Sequence, residues 1–369
     1  MIYMDSILIV KTSSIGDVIQ SLAVLEYLHH RFPQAKIDWI VERPSASLLE
    51  AHPYIHQVKI VDIKKWRAHP LAKETRQEIQ KFRADLQAQE YDLLFDLQGN
   101  IKSGLIDFFC KAKKKIGFSK TSVPETPNLW FTNTHIDLDK HQNISLFYLK
   151  MIQKFFEDSA SFEPSGVKLN FNPQDQARLE TVLPPNLSQK GPLFMVALGS
   201  YWKNKQLSDE MAIELLSFIR SNYQARFIFV YQGVKEKMKV LELSQSFADC
   251  STLIGEMTLV FWHGLMQKMD GVISVDSAGL HLAAASGVPT FSVFGPSAAE
   301  VYKPSGKMHI AMQGSCPYNQ TFIRRCPYLR SCKTGACIKD LKVDAVIDRF
   351  NLFYSGLLSL KADQNQCES

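Results

Sequence analysis

A chain of 369 residues is too long for one ordinary hydrophobic core and fits two domains. With 46% hydrophobic and 21% charged residues, wholesale disorder is excluded. The net charge of +5 suits an anionic ligand or surface, and no aromatic-and-basic motif of the RNA-binding kind accompanies it, so a nucleic-acid partner is not expected.

The N-terminal MIYMDSILIVK carries neither a basic leader nor a cleavage site, and no apolar run is long enough to span a bilayer. The expectation is a cytoplasmic protein with at most peripheral contact to the inner membrane. Short apolar strands are predicted at 7–10, 37–41, 58–61 and 93–97, with helical stretches after Asp17 and over 73–89 and 102–110. The second half repeats the scheme, with strands at 193–198, 227–231, 272–275 and 290–294 and helices at 209–220, 236–246, 259–269 and 279–286. This alternation implies an α/β fold of two Rossmann-like domains with parallel sheets. The expected boundaries are 1–178 and 179–342, with 172–192 (Pro173, Pro184, Pro185, Gly191) as the connection. Residues 343–369 are expected to form a helix packing back on the first domain, then a tail.

Ligands of such sheets bind beyond the carboxyl ends of the strands, so functional motifs should follow strands directly. After the first strand comes Lys11-Thr12-Ser13-Ser14-Ile15-Gly16-Asp17. Gly16 permits a tight turn, and Asp17 opens a helix where the dipole favours a carboxylate. A simple helix cap is the plainer reading. Lys64-Lys65-Trp66-Arg67 is a basic cluster after the third strand, and Asp96-Leu97-Gln98-Gly99-Asn100-Ile101-Lys102-Ser103 is a strand-to-helix turn. The run 111–115 reads as a solvated or membrane-facing patch without a catalytic role.

In the second half, Gly199-Ser200-Tyr201-Trp202-Lys203-Asn204-Lys205 follows a strand and ends in two lysines, each a compact positive charge whose plainer reading is a solvated surface residue. The strand ending at Asp276 leads through Ser277, Ala278 and Gly279 into a helix bearing His281. Exposed amides at such a helix start make an anion site, whereas His281 on its own reads as a buried structural histidine. Asp137-Leu138-Asp139 imitates a metal-binding D-x-D and is read as accidental. Cys316, Cys326, Cys332 and Cys337 crowd one segment. They suit either a tetrahedral structural zinc or reduced thiols filling a loop.

These blocks resemble the lipopolysaccharide heptosyltransferases of glycosyltransferase family 9, from Ile7 to about Ile347. KTSSIGD and KKWR lean to heptosyltransferase I and the cysteine segment to type II. The resemblance implies GT-B, two facing Rossmann-like domains, and inverting transfer of L-glycero-D-manno-heptose from ADP-heptose to a Kdo residue of Kdo-lipid A, with no cofactor and no catalytic metal. It implies Asp17 as general base and Lys205, with Lys203 as its alternate, opposite the donor phosphates. Gly199, Ser200 and Tyr201 would join them at the donor. Asp276 would meet donor sugar hydroxyls, with His281 lining the pocket, the amides of Ser277, Ala278 and Gly279 on the diphosphate, and Glu236 on the ribose. Ser14, Gly16, Lys64, Lys65, Arg67, Gln98 and Lys102 would face the acceptor. The Ser277-Ala278-Gly279 order shifts the family's small-residue pattern by one. Three alternatives stand beside this reading: heptosyltransferase II acting on an already heptosylated core, a GT-B enzyme using a UDP-sugar, and an inactive sugar-nucleotide or lipid A binding protein.

Overall fold

The computed structural model describes residues 4–183 and 191–367. The connection expected at 172–192 therefore falls partly, with Pro184 and Pro185, outside the described residues. The chain divides into two compact units, residues 1–170 and 171–369.

Among the described residues, the first unit holds β1 (Ser6–Val10), β2 (Lys36–Glu42), β3 (Gln57–Val61), β4 (Glu90–Asp96), β5 (Lys111–Phe118) and β6 (Thr134–Ile136). They form one parallel sheet in the order β3-β2-β1-β4-β5-β6. The apolar run of β1 is buried throughout, as a parallel strand covered on both faces must be. The helices Ile63–Ala68, Lys73–Gln87 and Ile101–Phe109 share one face of this sheet. Ile63, Trp66, Phe82, Leu86, Ile106 and Phe109 pack there with Leu8, Ile40 and Leu94. The lysine run at 111–115 lies within β5. Lys113 pairs with Asp92 at 2.6 Å, and Lys115 Nζ donates to the Asp107 carbonyl.

The second unit holds β7 (Leu193–Ala197), β8 (Arg226–Tyr231), β9 (Ser251–Gly255), β10 (Gly271–Val275), β11 (Thr290–Phe294) and β12 (His309–Gln313). Its order, β12-β11-β10-β7-β8-β9, is again all parallel. Both sheets reverse direction of growth once, between β1 and β4 in the first and between β10 and β7 in the second. That switch point is where the sheet edge opens for a ligand.

Two expectations on domain limits are corrected. The helix Val343–Cys367 belongs to the second unit and packs on its core. Its stripe of Val346, Phe350, Phe353 and Leu357 joins the core of Phe194, Phe227 and Phe291. The apolar positions recur at helical spacing, and each fully buried Phe contributes roughly 1.5–3 kcal/mol of transfer free energy. The helix Pro173–Thr181 also belongs to the second unit, which moves the boundary from 178 to 170. Its Arg178 guanidinium sits 4.1 Å from the Phe261 ring centre, and Leu179 packs against Gly264.

Candidate functional site

In the first unit, the loops after β1 and β4 lie side by side because Val10 and Asp96 end adjacent strands in register. Gln98 ties them together. Its Oε1 accepts from the amides of Thr12 (3.2 Å) and Ser13 (3.1 Å). The Asp96 carboxylate is fully buried and accepts from the amides of Gln98 and Gly99, from Ser103 Oγ (2.7 Å) and from Asn128 Nδ2 (2.6 Å). Gly99 adopts φ +69° with Phe118 and Pro124 against it, leaving no space for a side chain. Gln98 thus braces the loop KTSSIGD.

Asp17 lies half-buried in the first turn of the helix Ile15–Gln20. Ser14 donates to its Oδ2 from both the amide (3.2 Å) and the hydroxyl (2.7 Å). Gly16 stands beside it in the same turn. Lys11 is 3% exposed and places its ammonium 4.7 Å from the Tyr148 ring centre. Burial works to lower the Lys11 pKa, but Tyr148, Asp17 and Asp96 together hold it above its ordinary value. A fixed ammonium therefore stands in the field of the Asp17 carboxylate.

The basic residues of the first unit divide. Lys64, Lys65 and Arg67 sit on the helix Ile63–Ala68, with all three exposed. Lys65 is turned to Glu78 at 2.6 Å, beside Trp66 Nε1 on the same carboxylate. Lys64 and Lys102 both act on Glu42. Burial pushes that carboxyl up, and the two lysines partly oppose the shift. Lys64 and Lys102 thus bear electrostatically on Glu42, while Lys65 is turned to Glu78.

The second unit contains the more buried group. Lys205 Nζ donates to Asp276 Oδ2 at 2.5 Å, and His281 Nε2 stands 3.9 Å from Asp276 Oδ1. The side chains of the three are 10%, 9% and 7% exposed, so solvent does not screen them. Burial pushes the Asp276 carboxyl up, but His281 and the Lys205 ammonium overcome this and hold it far below the carboxylate range. Asp276 follows β10 and Lys205 ends the turn Lys203–Lys205 after β7, so the pair straddles the switch point. Lys203 and Tyr201 are exposed, which separates the two candidate lysines by burial. Ser277 stands immediately before the helix Ala278–Ala285, which carries Gly279 and His281.

Glu236, in the first turn of the helix Val234–Gln245, reaches back to the loop after β7. A Cβ at Gly199 would lie 1.3 Å from its Oε1, so the approach depends on glycine there. Its other oxygen accepts from the Gln232 amide at 2.8 Å, and burial raises its pKa. Gln206 Nε2 fixes the Ser200 carbonyl at 2.7 Å.

The cysteine segment packs behind this loop. Cys316, Cys326, Cys332 and Cys337 line one small cavity with Asn204, Pro296 and Gly335, and all four are free thiols. Asn204 Nδ2 donates to the Leu329 carbonyl at 2.7 Å. The Cys337 thiol is pushed up to about 11, first by burial and then by the three neighbouring cysteines. Among the described residues, no three His, Cys, Asp or Glu side chains are disposed to hold a metal ion. Asp137, just after β6, accepts from Ser119 Oγ at 2.7 Å and from Thr121 Oγ1 in the loop after β5, and Asp139 accepts from the His141 amide within its own loop.

The model for glycosyltransferase family 9 (heptosyltransferase) matches residues 79–330. The chain belongs to glycosyltransferase family 9. Its curated relatives include lipopolysaccharide heptosyltransferase 1 of Campylobacter coli, 25% identical over 80% of this chain and 86% of that one. The protein of the same name from Escherichia coli K12 is 27% identical over 79% and 88%. Among solved structures, E. coli heptosyltransferase WaaC with ADP-2-deoxy-2-fluoro heptose superimposes with TM-score 0.70 at 25% identity, covering 84% of this chain and 93% of that one. The two parallel sheets are those of the GT-B glycosyltransferases. This family 9 chain is a glycosyltransferase, and its matched span includes Gln98, Lys205, Glu236, Asp276 and His281.

Four residues of the site were missed as functional in the sequence. Lys11, Asp96 and Asn204 sit inside the quoted motifs but carried no role there. Glu42 gave no signal, because only the fold sets it against Lys64 and Lys102.

Proposed function

We propose that this family 9 enzyme moves L-glycero-D-manno-heptose, with inversion, from ADP-heptose to a Kdo residue of Kdo-lipid A. The observation that carries this is the buried Lys205–Asp276–His281 group at the switch point of the second sheet. The similarity to proteins named lipopolysaccharide heptosyltransferase 1, and to WaaC with an ADP-heptose analogue, supports the donor and the place in lipopolysaccharide synthesis.

In this reading Asp17 takes the proton of the acceptor hydroxyl as its oxygen bonds to the anomeric carbon. The glycosidic C–O bond to the diphosphate breaks, and ADP leaves with the electron pair. Lys205 and the amides of Ser277, Ala278 and Gly279 meet the charge that develops on the diphosphate. Asp276 orients Lys205 and accepts from donor sugar hydroxyls, and Glu236 accepts from the ribose. A fixed ammonium supplies the charge, so the reaction is expected to run without a divalent metal. Lys64 and Lys102 meet acceptor carboxylate or phosphate on the first unit. We place the enzyme in the cytoplasm, working on lipid presented by the inner membrane.

A donor panel tests the reading. Titration calorimetry should show ADP-heptose and ADP binding, with UDP-sugars at least tenfold weaker. Equal or tighter binding of a UDP-sugar would reject the heptosyl donor.

A further inference from the structure

The helix Ile101–Phe109 is built inside out. Ser103, Gly104 and Asp107 face the interior together with Ile106, whereas Ile101, Leu105 and Phe108 are exposed at 43%, 50% and 65%. Positions 101, 105 and 108 fall on one helical stripe. Polar anchoring explains the inward face: Ser103 Oγ bonds the buried Asp96, and the helix is pinned by its Asn100 cap. Nothing in that anchoring requires large apolar residues on the outside. Trp130, 82% exposed, extends the stripe from the adjacent turn Thr126–Trp130, whose following residue Phe131 packs on Gly104 and edge-on to Phe108.

Charge surrounds this stripe. Between Lys64 and Lys120 there are 13 Lys and Arg against 7 Asp and Glu, a surplus of six where the whole chain has five. Lys102 is exposed on the helix and Lys111 is exposed just after it, and the Arg83 guanidinium lies 4.5 Å from the Phe109 ring centre. Glu125, accepting from the Ile101 amide, is the acid at the helix start. An apolar stripe rimmed by cations is the chemistry of a surface that settles into an anionic bilayer, with aromatic and aliphatic side chains among the acyl chains and lysines at the headgroups. The helix also begins four residues after Leu97, at the sheet edge that carries Gln98 and Lys102.

We propose that Leu105, Phe108 and Trp130 form a docking face for anionic phospholipid bilayers. The face holds the acceptor-side loops at the level of the headgroups. Its purpose, though not its binding chemistry, rests on the lipid-linked acceptor proposed above.

The test uses the full chain and vesicles of phosphatidylethanolamine with phosphatidylglycerol, without any acceptor. The wild type should co-sediment with them, and more weakly with phosphatidylcholine vesicles or at high salt. Leu105→Ser/Phe108→Ser should lower vesicle affinity at least tenfold with little change in the melting midpoint, because both side chains are at least half exposed. The single Phe108→Ser variant serves if the double variant misfolds. On a deacylated, water-soluble acceptor, both variants should turn over like the wild type. A wild type that ignores anionic vesicles, or a variant that binds them equally well, overturns the proposal. So does a variant that only dissolves a concentration-dependent dimer, which would assign the face to a second copy of the chain. If the wild type fails to transfer heptose to any acceptor yet binds vesicles through this face, the heptosyl reading falls and the docking face stands.

Discussion

Replacing Lys205 by methionine keeps the aliphatic stem and removes the ammonium from a carboxylate 2.5 Å away. Asp276 would then keep only His281, at 3.9 Å. Both members of the pair are at most 10% exposed, so water does not repair the loss. Removing one partner of a buried ion pair costs about 3–5 kcal/mol, whereas a surface substitution at the exposed Lys203 should stay within about 0.5 kcal/mol. Adding Asp276→Asn to Lys205→Met removes the stranded charge and should recover a large part of the loss. Urea unfolding of the two single variants, the double variant and Lys203→Met measures this. On the proposed mechanism, ADP release by Lys205→Met should also fall by about 100-fold, through loss of the charge assigned to the departing diphosphate. If Lys205→Met were no less stable than Lys203→Met, or if the double variant were the least stable of all, the buried group would not be the electrostatic unit described here.

Gln98→Leu strands the amides of Thr12 and Ser13 and should cost about 1–3 kcal/mol in urea unfolding together with turnover; a stable, fully active variant would remove Gln98 from the positioning of the first loop. Gly199→Ala forces the Glu236 carboxylate away and should weaken nucleotide binding by about 1–2 kcal/mol in calorimetry with little change in melting; unaltered affinity would dismiss Glu236 as a ribose ligand. His309 is 5% exposed, and burial, helped by the Lys303 charge, lowers its pKa to about 4. The unfolded chain protonates it near 6.5 and the folded one only near 4, so its contribution is full above about pH 6.5 and is lost as pH falls towards 4, by about 3 kcal/mol. His309→Asn should flatten the melting temperature across that window, and an unchanged slope would place the acid sensitivity elsewhere.

The strands that carry the site were legible because each is a short apolar run followed at once by polar, small or charged residues. β1, β2, β3, β4, β7, β8, β10 and β11 all announce themselves this way. β5 did not, because its four lysines alternate poorly and one face is wetted at the sheet's far side, so it read as a charged patch. β6, β9 and β12 are short or marginal edge elements whose existence depends on a neighbour to pair with. The fate of the helix Val343–Cys367 was not legible either. Its apolar stripe shows that it packs, but which sheet it packs on is a tertiary choice. At the site, strand-end positions marked these segments as candidates, and the resemblance to family 9 supplied the roles of Asp17, Lys205, Asp276 and His281. Which lysine of the 203 and 205 pair is buried, and that Gln98 turns to the KTSSIGD loop, depend on distances that no spacing in the sequence encodes.

The most direct measurement is ADP release from ADP-heptose in excess EDTA, with and without Kdo-lipid A, for the wild type and for Asp17→Asn. Acceptor-dependent release by the wild type, lowered at least 100-fold in Asp17→Asn with donor binding retained, is the result expected of a metal-independent heptosyltransferase that uses Asp17 as its base. Release that ignores the acceptor, stops in EDTA, or persists undiminished in Asp17→Asn would contradict it.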